Sequence, residues 1–376
     1  MSKLVPVVDP DGLLEYSVVY TDRALNHMSN LFQGVMNDIS ATLKEVYAAQ
    51  AAIVVPGSGT FGMEAVARQF ATGKRCMVLR NGWFSYRWTQ IFDMGGIPAE
   101  HKVLKARPIE SGSQGAFAPA PIDEVVAAIN EYKPDLVFAP HVETASGIML
   151  PDDYLKQVAD AVHAVGGLFV LDCIASGTVW VNMKAVGVDV LISAPQKGWT
   201  GAACCGLVML GETALQRIEH TTSTSFACDL RKWLQIMQAY ENGGHAYHAT
   251  MPTDSLVSLR NAMAETRADG FDIMKAKQLE LGKAVRALLA KHGFKSVAAP
   301  GFEAPGVVVC YTTDNDLQSA RKFMEVGLQA AAGVPLQCDE PADYKTFRLG
   351  LFGLDKLNNI DRTVQLLDAA LAKISD

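Results

Sequence analysis

The sequence predicts an α/β protein: a large part built on a mostly parallel central sheet, followed by a smaller α/β part at the carboxyl end. Two observations carry that reading. Short apolar, β-branched runs without polar alternation recur between stretches of helical periodicity, as expected of central strands covered on both faces. A stretch of helical periodicity longer than any other then separates this series from a second, shorter set of strands and helices.

In chain order, LFQGVMNDISATLKEVYAAQ reads as a helix, and the run AAIVV after it stops abruptly at Pro56 and Gly57. GMEAVARQFA, CMVLR, WFSYRWTQIFDMG and AEHKVLK continue as helix, strand, helix, strand. DLVFAPH, GLFVLDC and DVLISA are buried-strand runs, the first two separated by the helical PDDYLKQVADAVHAVG. Helical periodicity from Leu256 to His292 is followed by the strand VVVCYTT, a helix near Gln318 to Ala332, the strand FRLGLFG and a last helix. The boundaries expected are a large domain over 1–255 and a small domain over 256–376, joined by one long helix.

With 376 residues, 49% hydrophobic and 19% charged, the chain has the composition of an ordinary globular protein and is long enough for two lobes and a closed site. Its net charge of −7 and the absence of a long Lys/Arg run exclude nucleic acid as a partner. No segment approaches the length of a membrane span, and MSKLVPVVDPDG carries Asp and Pro where a secretory leader needs an apolar stretch. A cytoplasmic location is expected. Seven scattered cysteines read as reduced thiols, and Cys204 and Cys205, in AACCGLVML, as small core residues rather than a redox pair.

Three segments carry chemistry. In PGSGTFGMEA, glycines between a buried strand and a helix start let backbone approach an anion, with Ser58 and Thr60 supplying hydroxyls and the helix start supplying amides. Phe61, Gly62 and Met63 replace the Lys-Ser/Thr of a nucleotide P-loop, which disfavours ATP; a tight turn with an N-cap accounts for the same residues. Asp172 ends an apolar strand in LFVLDCIASG, where a carboxylate needs either a cationic partner or a turn to cap. Lys197 follows Gln196 at the end of another buried strand, where desolvation would favour the neutral amine that Schiff-base chemistry requires; an ordinary surface lysine is the alternative.

A glycine-rich turn, a strand-end Asp and a strand-end Lys, in that order, resemble the fold-type I pyridoxal 5'-phosphate (PLP) enzymes. Within them the match is to the class V aminotransferases of the alanine/serine–glyoxylate (or pyruvate) group, from about His27 to the end of the chain. The resemblance implies that Ser58, Gly59 and Thr60 hold the phosphate, that Phe84 in NGWFSYRW stacks on the cofactor ring in preference to Trp83, and that Thr144 in HVETASG lies near it. It implies further that Asp172 pairs with the ring nitrogen, that Ile174 lies against the ring and that Gln196 and Lys197 are the family's Gln-Lys pair. Tyr247 and Thr250 in AYHATMP would complete the phosphate site of a neighbouring subunit, which implies a homodimer. His245 and His248 alone make a weak metal site, and no metal is expected. Arg348 in FRLGLFG would grip the substrate carboxylate, a surface ion pair being the alternative.

One departure concerns the amino-terminal region, which reads LEYSVVYTDRALNHMS where the family has a Gly-Pro-Gly-Pro stretch shaping the pocket. Tyr20 and Arg23 could approach the substrate there, Arg23 suiting a donor with a second acidic or phosphonate group. The function implied is transfer of an amino group from a small amino acid to a 2-oxo acid such as glyoxylate or pyruvate. Three other readings rank below it. One is a PLP-dependent lyase or desulfurase using Cys338, against which Gln196 stands where those relatives carry His. Another is an aminophosphonate transaminase. The last is a non-catalytic binding protein, which would have no use for Lys197, Asp172 and Arg348 together.

Overall fold

A computed structural model of the chain describes residues 8–375, so most of the MSKLVPVVDPDG stretch lies outside the described residues. The expected α/β architecture is present. A seven-stranded sheet carries, in spatial order, Ala51–Pro56, Cys205–Leu210, Val190–Ser193, Leu168–Asp172, Leu136–Pro140, Arg75–Arg80 and Glu100–Lys105. Only Cys205–Leu210 runs antiparallel to its neighbours. Its sequence announces buried core and nothing more, because burial is written in composition and strand direction is not.

Helices cover both faces, which is why the central strands need no polar alternation. The helix Asn30–Tyr47 starts where the Ser29 hydroxyl accepts from the Phe32 N–H and ends at Ala48 in the left-handed region, φ 53°. Its buried side, from Phe32 to Tyr47, joins a core gathering side chains from Leu25 to Met263. A second core, from Met274 to Leu371, forms under a three-stranded antiparallel sheet of Val307–Tyr311, Thr346–Gly350 and Ala331–Ala332. A third cluster joins Val142, Ala145 and Ala175 to Val307, Val309 and Cys338, welding the two lobes.

Two helical expectations need correction. The long joining helix is two helices, Thr253–Asp269 and Phe271–Lys291, separated at Gly270, whose φ of 90° no helix accommodates. The helix expected near Gln318 to Ala332 is two short pieces, Asn315–Gln318 and Arg321–Glu325. Ala320 at φ 63° and Gly327 at φ 85° interrupt it, and Ala331–Ala332 pairs as a strand with Arg348 and Phe347.

A clasp closes the junction between the lobes. The Arg80 guanidinium donates to the Gln337 carbonyl at 3.2 Å, the Cys338 thiol donates to the Arg80 carbonyl at 3.4 Å, and Lys105 bridges Asp339 at 2.7 Å. Glu340 braces this loop by accepting from the N–H groups of Leu336, Gln337 and Cys338.

Candidate active site

The parallel strands place their carboxyl ends along one edge of the sheet, where open α/β sheets bind ligands. Asp172 stands level with Pro140 on one side and Ile192 on the other. Ala51–Pro56 points the same way, since both it and Val190–Ser193 are antiparallel to Cys205–Leu210. The glycine-rich turn therefore opens at the same edge as the strand end at Asp172 and the loop carrying Lys197, which lies beyond the strand end at Ser193 instead of closing the strand itself. A cavity of about 240 Å³ lies there, lined by Ser58, Gly59, Thr60, Phe84, Thr144, Asp172, Ile174, Gln196 and Lys197 together with Met63, Arg87, Val142 and Ala175.

The alternatives left open by the sequence resolve differently at each segment. Ser58 occupies the N-cap position of the helix Gly59–Phe70, yet its hydroxyl makes no capping bond and the residue lines the cavity. Asp172 does brace its turn, Oδ1 accepting from the Ile174 N–H at 2.9 Å. It is nevertheless buried, and burial, reinforced by the charge of Glu143 and only partly opposed by that hydrogen bond and by Arg87, raises its carboxyl to about 7. Lys197 is no ordinary surface lysine: burial and the like charge of Arg348 lower its proton affinity, and its Nζ lies 5.2 Å from the Phe352 ring centroid.

Arg348, on the strand Thr346–Gly350, stands beside the cavity with its Cζ 5.4 Å from the Phe84 ring centroid and its Nε donating to the Ala332 carbonyl at 2.7 Å. Burial lowers its proton affinity while Glu143 and Tyr344 oppose the shift. Arg87 is a residue that sequence reasoning missed. One helical turn beyond Phe84, it reaches the cavity, donates to the Thr60 hydroxyl at 3.1 Å and lies 5.2 Å from the Phe84 ring. The i, i+3 spacing in FSYR was the available signal. Among the described residues neither Arg87 nor Arg348 forms a salt bridge with a carboxylate.

Tyr247 and Thr250 are not brought to this cavity. Their hydroxyls bond to each other at 3.1 Å on the surface, and the ring of Tyr247 lies 5.6 Å from that of His27. The amino-terminal segment packs here too, Tyr20 Oη donating to the Met251 carbonyl at 3.2 Å. Arg23, expected near substrate, is exposed in this segment and lines no part of the cavity, because the segment follows the 245–251 stretch instead of the sheet edge. His245 packs edge-on against His27, while His248 Nε2 meets the Phe226 carbonyl, so the two histidines face different neighbours. Cys338 is buried in the clasp, and burial pushes its thiol up to about 12, which denies it the thiolate a desulfurase needs.

Comparison with known proteins follows the same outline. The chain is 25% identical over 358 residues to an alanine–glyoxylate aminotransferase of Callithrix jacchus, covering 92% of this chain and 82% of that one. It is 24% identical over 379 residues to a 2-aminoethylphosphonate–pyruvate transaminase of Burkholderia lata, covering 98% and 97%. The solved structure of an alanine–glyoxylate aminotransferase from Nostoc sp. superimposes with a TM-score of 0.75 at 19% identity, over 93% of this chain and 89% of the other, and shares the fold. Residues 11–341 match the family described as aminotransferase class-V, and with the match spanning both the strand-end edge and the junction of the lobes, the chain belongs to the class V aminotransferases.

Proposed function

We propose that this aminotransferase moves the amino group of a small amino acid to a short 2-oxo acid, glyoxylate or pyruvate, using PLP held at the strand-end edge. One observation carries the reading: Asp172 and Lys197, each with a proton affinity shifted by burial, line one cavity with the Ser58–Thr60 turn. Two of the similar proteins use glyoxylate or pyruvate as acceptor, by their names.

The residues fit the cofactor. At Gly59 a Cβ would lie 2.6 Å from Ile174 Cδ1, so only glycine lets the turn pack this closely against Ile174 on the cavity wall. Ser58 and Thr60 hydroxyls with the amides of the helix start are a phosphate donor set. The buried Asp172 carboxyl wants a cationic partner, which a protonated pyridine nitrogen would be. When bound, PLP would supply an electron sink and a carrier for the amino group.

Around it each residue has one task. Lys197 Nζ, poised toward its neutral form, would hold the cofactor and then take the proton from the substrate α-carbon. Asp172 would keep a proton on the ring nitrogen. Arg348, whose fork meets no carboxylate among the described residues, would orient the substrate carboxylate. Tyr247 and Thr250 would serve the phosphate site of a second copy, and the exposed side chains of Leu13, Leu14, Tyr16, Val18 and Phe226 support a homodimer.

A second donor class is favoured by Arg87, a cation in the same cavity without a carboxylate partner among the described residues, to which an acidic or phosphonate donor would supply one. One titration tests both readings. The visible absorbance of the PLP-loaded protein is followed while alanine, serine, aspartate and 2-aminoethylphosphonate are added in turn, then glyoxylate or pyruvate. Bleaching by one donor and recovery with the 2-oxo acid is the expected outcome and names the donor; no visible band after adding PLP would remove Lys197 from its role.

A further inference from the structure

Glu143 closes the short strand Val142–Glu143 and is fully buried. Its carboxylate gathers four donors. Oε1 accepts from the N–H groups of Phe84 and Ala145 at 3.1 and 2.9 Å, while Oε2 accepts from the Ser85 N–H at 2.9 Å and the Ser85 hydroxyl at 2.6 Å. Phe84 and Ser85 open the helix Trp83–Gly95, so the carboxylate also sits where the helix dipole favours negative charge.

Most helices are capped by a neighbour in sequence. This one is held from a residue 59 positions further along, on the loop that also brings Thr144 to the cavity wall. The arrangement therefore ties two walls of the cavity together. Room for it is kept by Gly82, where a Cβ would lie 2.7 Å from Glu143 Cγ and 2.8 Å from its Cδ. Both carboxylate oxygens are thus engaged from within the two walls.

We propose that Glu143 is a positioning residue: through the first-turn amides it fixes where the Phe84 ring stands in the cavity wall. The proposal rests on the reading that Phe84 stacks on the cofactor ring. Removing Glu143 should therefore act on cofactor binding only while Phe84 is there to be misplaced.

A double-mutant cycle measures this. PLP is titrated into the cofactor-free full-length protein by fluorescence, for wild type, Glu143→Gln, Phe84→Ala and the double variant, with thermal melting as the fold control. The expected result is a Kd about tenfold higher for each single variant and no further rise in the double, the coupling that contacting residues show. The visible circular dichroism of the loaded Glu143→Gln protein should weaken as well, because the ring environment is what it reports. Multiplying effects would mean that Glu143 acts independently of Phe84 and would overturn the proposal. An unchanged Kd in Phe84→Ala would instead overturn the stacking reading on which it rests. If Glu143→Gln does not fold, Gly82→Ala displaces the carboxylate without changing its charge; in that variant a Phe84-dependent rise in Kd is expected, and an unchanged Kd overturns the proposal.

Discussion

The edge of the large sheet and the surface stretch holding Tyr247 and Thr250 share a family motif set but are built in opposite ways. At the sheet edge, burial raises the Asp172 carboxyl and lowers the proton affinity of Lys197, so the chemistry is set by one chain's own strands. Tyr247 is 54% exposed and spends its hydroxyl on Thr250. Groups whose task needs a low dielectric are fixed by the core, whereas groups that only donate hydrogen bonds can be presented to another surface.

The sharpest way to break that comparison is subunit mixing. Lys197→Ala should lower kcat by about a thousandfold or more, and the paired Tyr247→Ala and Thr250→Ala variant should lose activity through weakened PLP binding. Mixed under conditions that exchange subunits, the two should regain activity, since one site of each hybrid would then be intact; hybrids that form and stay inactive would return Tyr247 and Thr250 to their own chain or to no role.

A smaller effect sharpens the electrostatic half. In the cofactor-free protein Asp172 binds its proton up to about pH 7, while unfolded Asp releases it near 3.8. Between those values the folded state holds more protons than the unfolded one, so this group's contribution makes stability fall as pH rises, and the penalty is complete above about pH 7. Asp172→Asn should therefore stabilise the cofactor-free protein by about 2 kcal/mol more at about pH 8 than at about pH 5, by denaturant melts, while lowering kcat of the loaded enzyme by about a hundredfold. An equal increment at both pH values would mean that the carboxyl is not held protonated. His141 also loses stability on one side of neutrality: burial lowers it to about 3, so its contribution is lost as pH falls below its unfolded value near 6.5. The difference between the two pH values must accordingly be read against wild type.

The smallest effect belongs to Cys338. With its thiol buried against the Arg80 carbonyl, Cys338→Ser should leave kcat/KM within about twofold. A large loss would reopen sulfur chemistry.

Much of the fold is legible because its strands are continuous apolar runs and its strand-end residues are chemically out of place. Asp172 stands out as a charge closing such a run and Lys197 as one following another run, and the structure brings both to one cavity. The features that escape sequence reasoning depend on geometry that residue types do not encode. The reversed direction of Cys205–Leu210 is invisible in GLVML, and the bend at Gly270 hides within helical periodicity on both sides. Glu143 sits beside Thr144 in HVETASG and gives no signal there, since only the fold shows that its partners are amides of Phe84 and Ser85. Arg23 lies outside this chain's cavity for a related reason: only the fold shows that its segment packs along the 245–251 stretch.

The pairing of Ala51–Pro56 with Cys205–Leu210 has a consequence for the ribosome. The strand that carries the glycine-rich turn is among the first to be made, yet its hydrogen-bonding partner emerges roughly 150 residues later, on the order of ten seconds at usual elongation rates. During that interval AAIVVP is a bare apolar strand with an unpaired edge, the kind of segment that sticks to other chains. The same long-range closure that completes the sheet leaves this apolar edge open until more than half of the chain has been made.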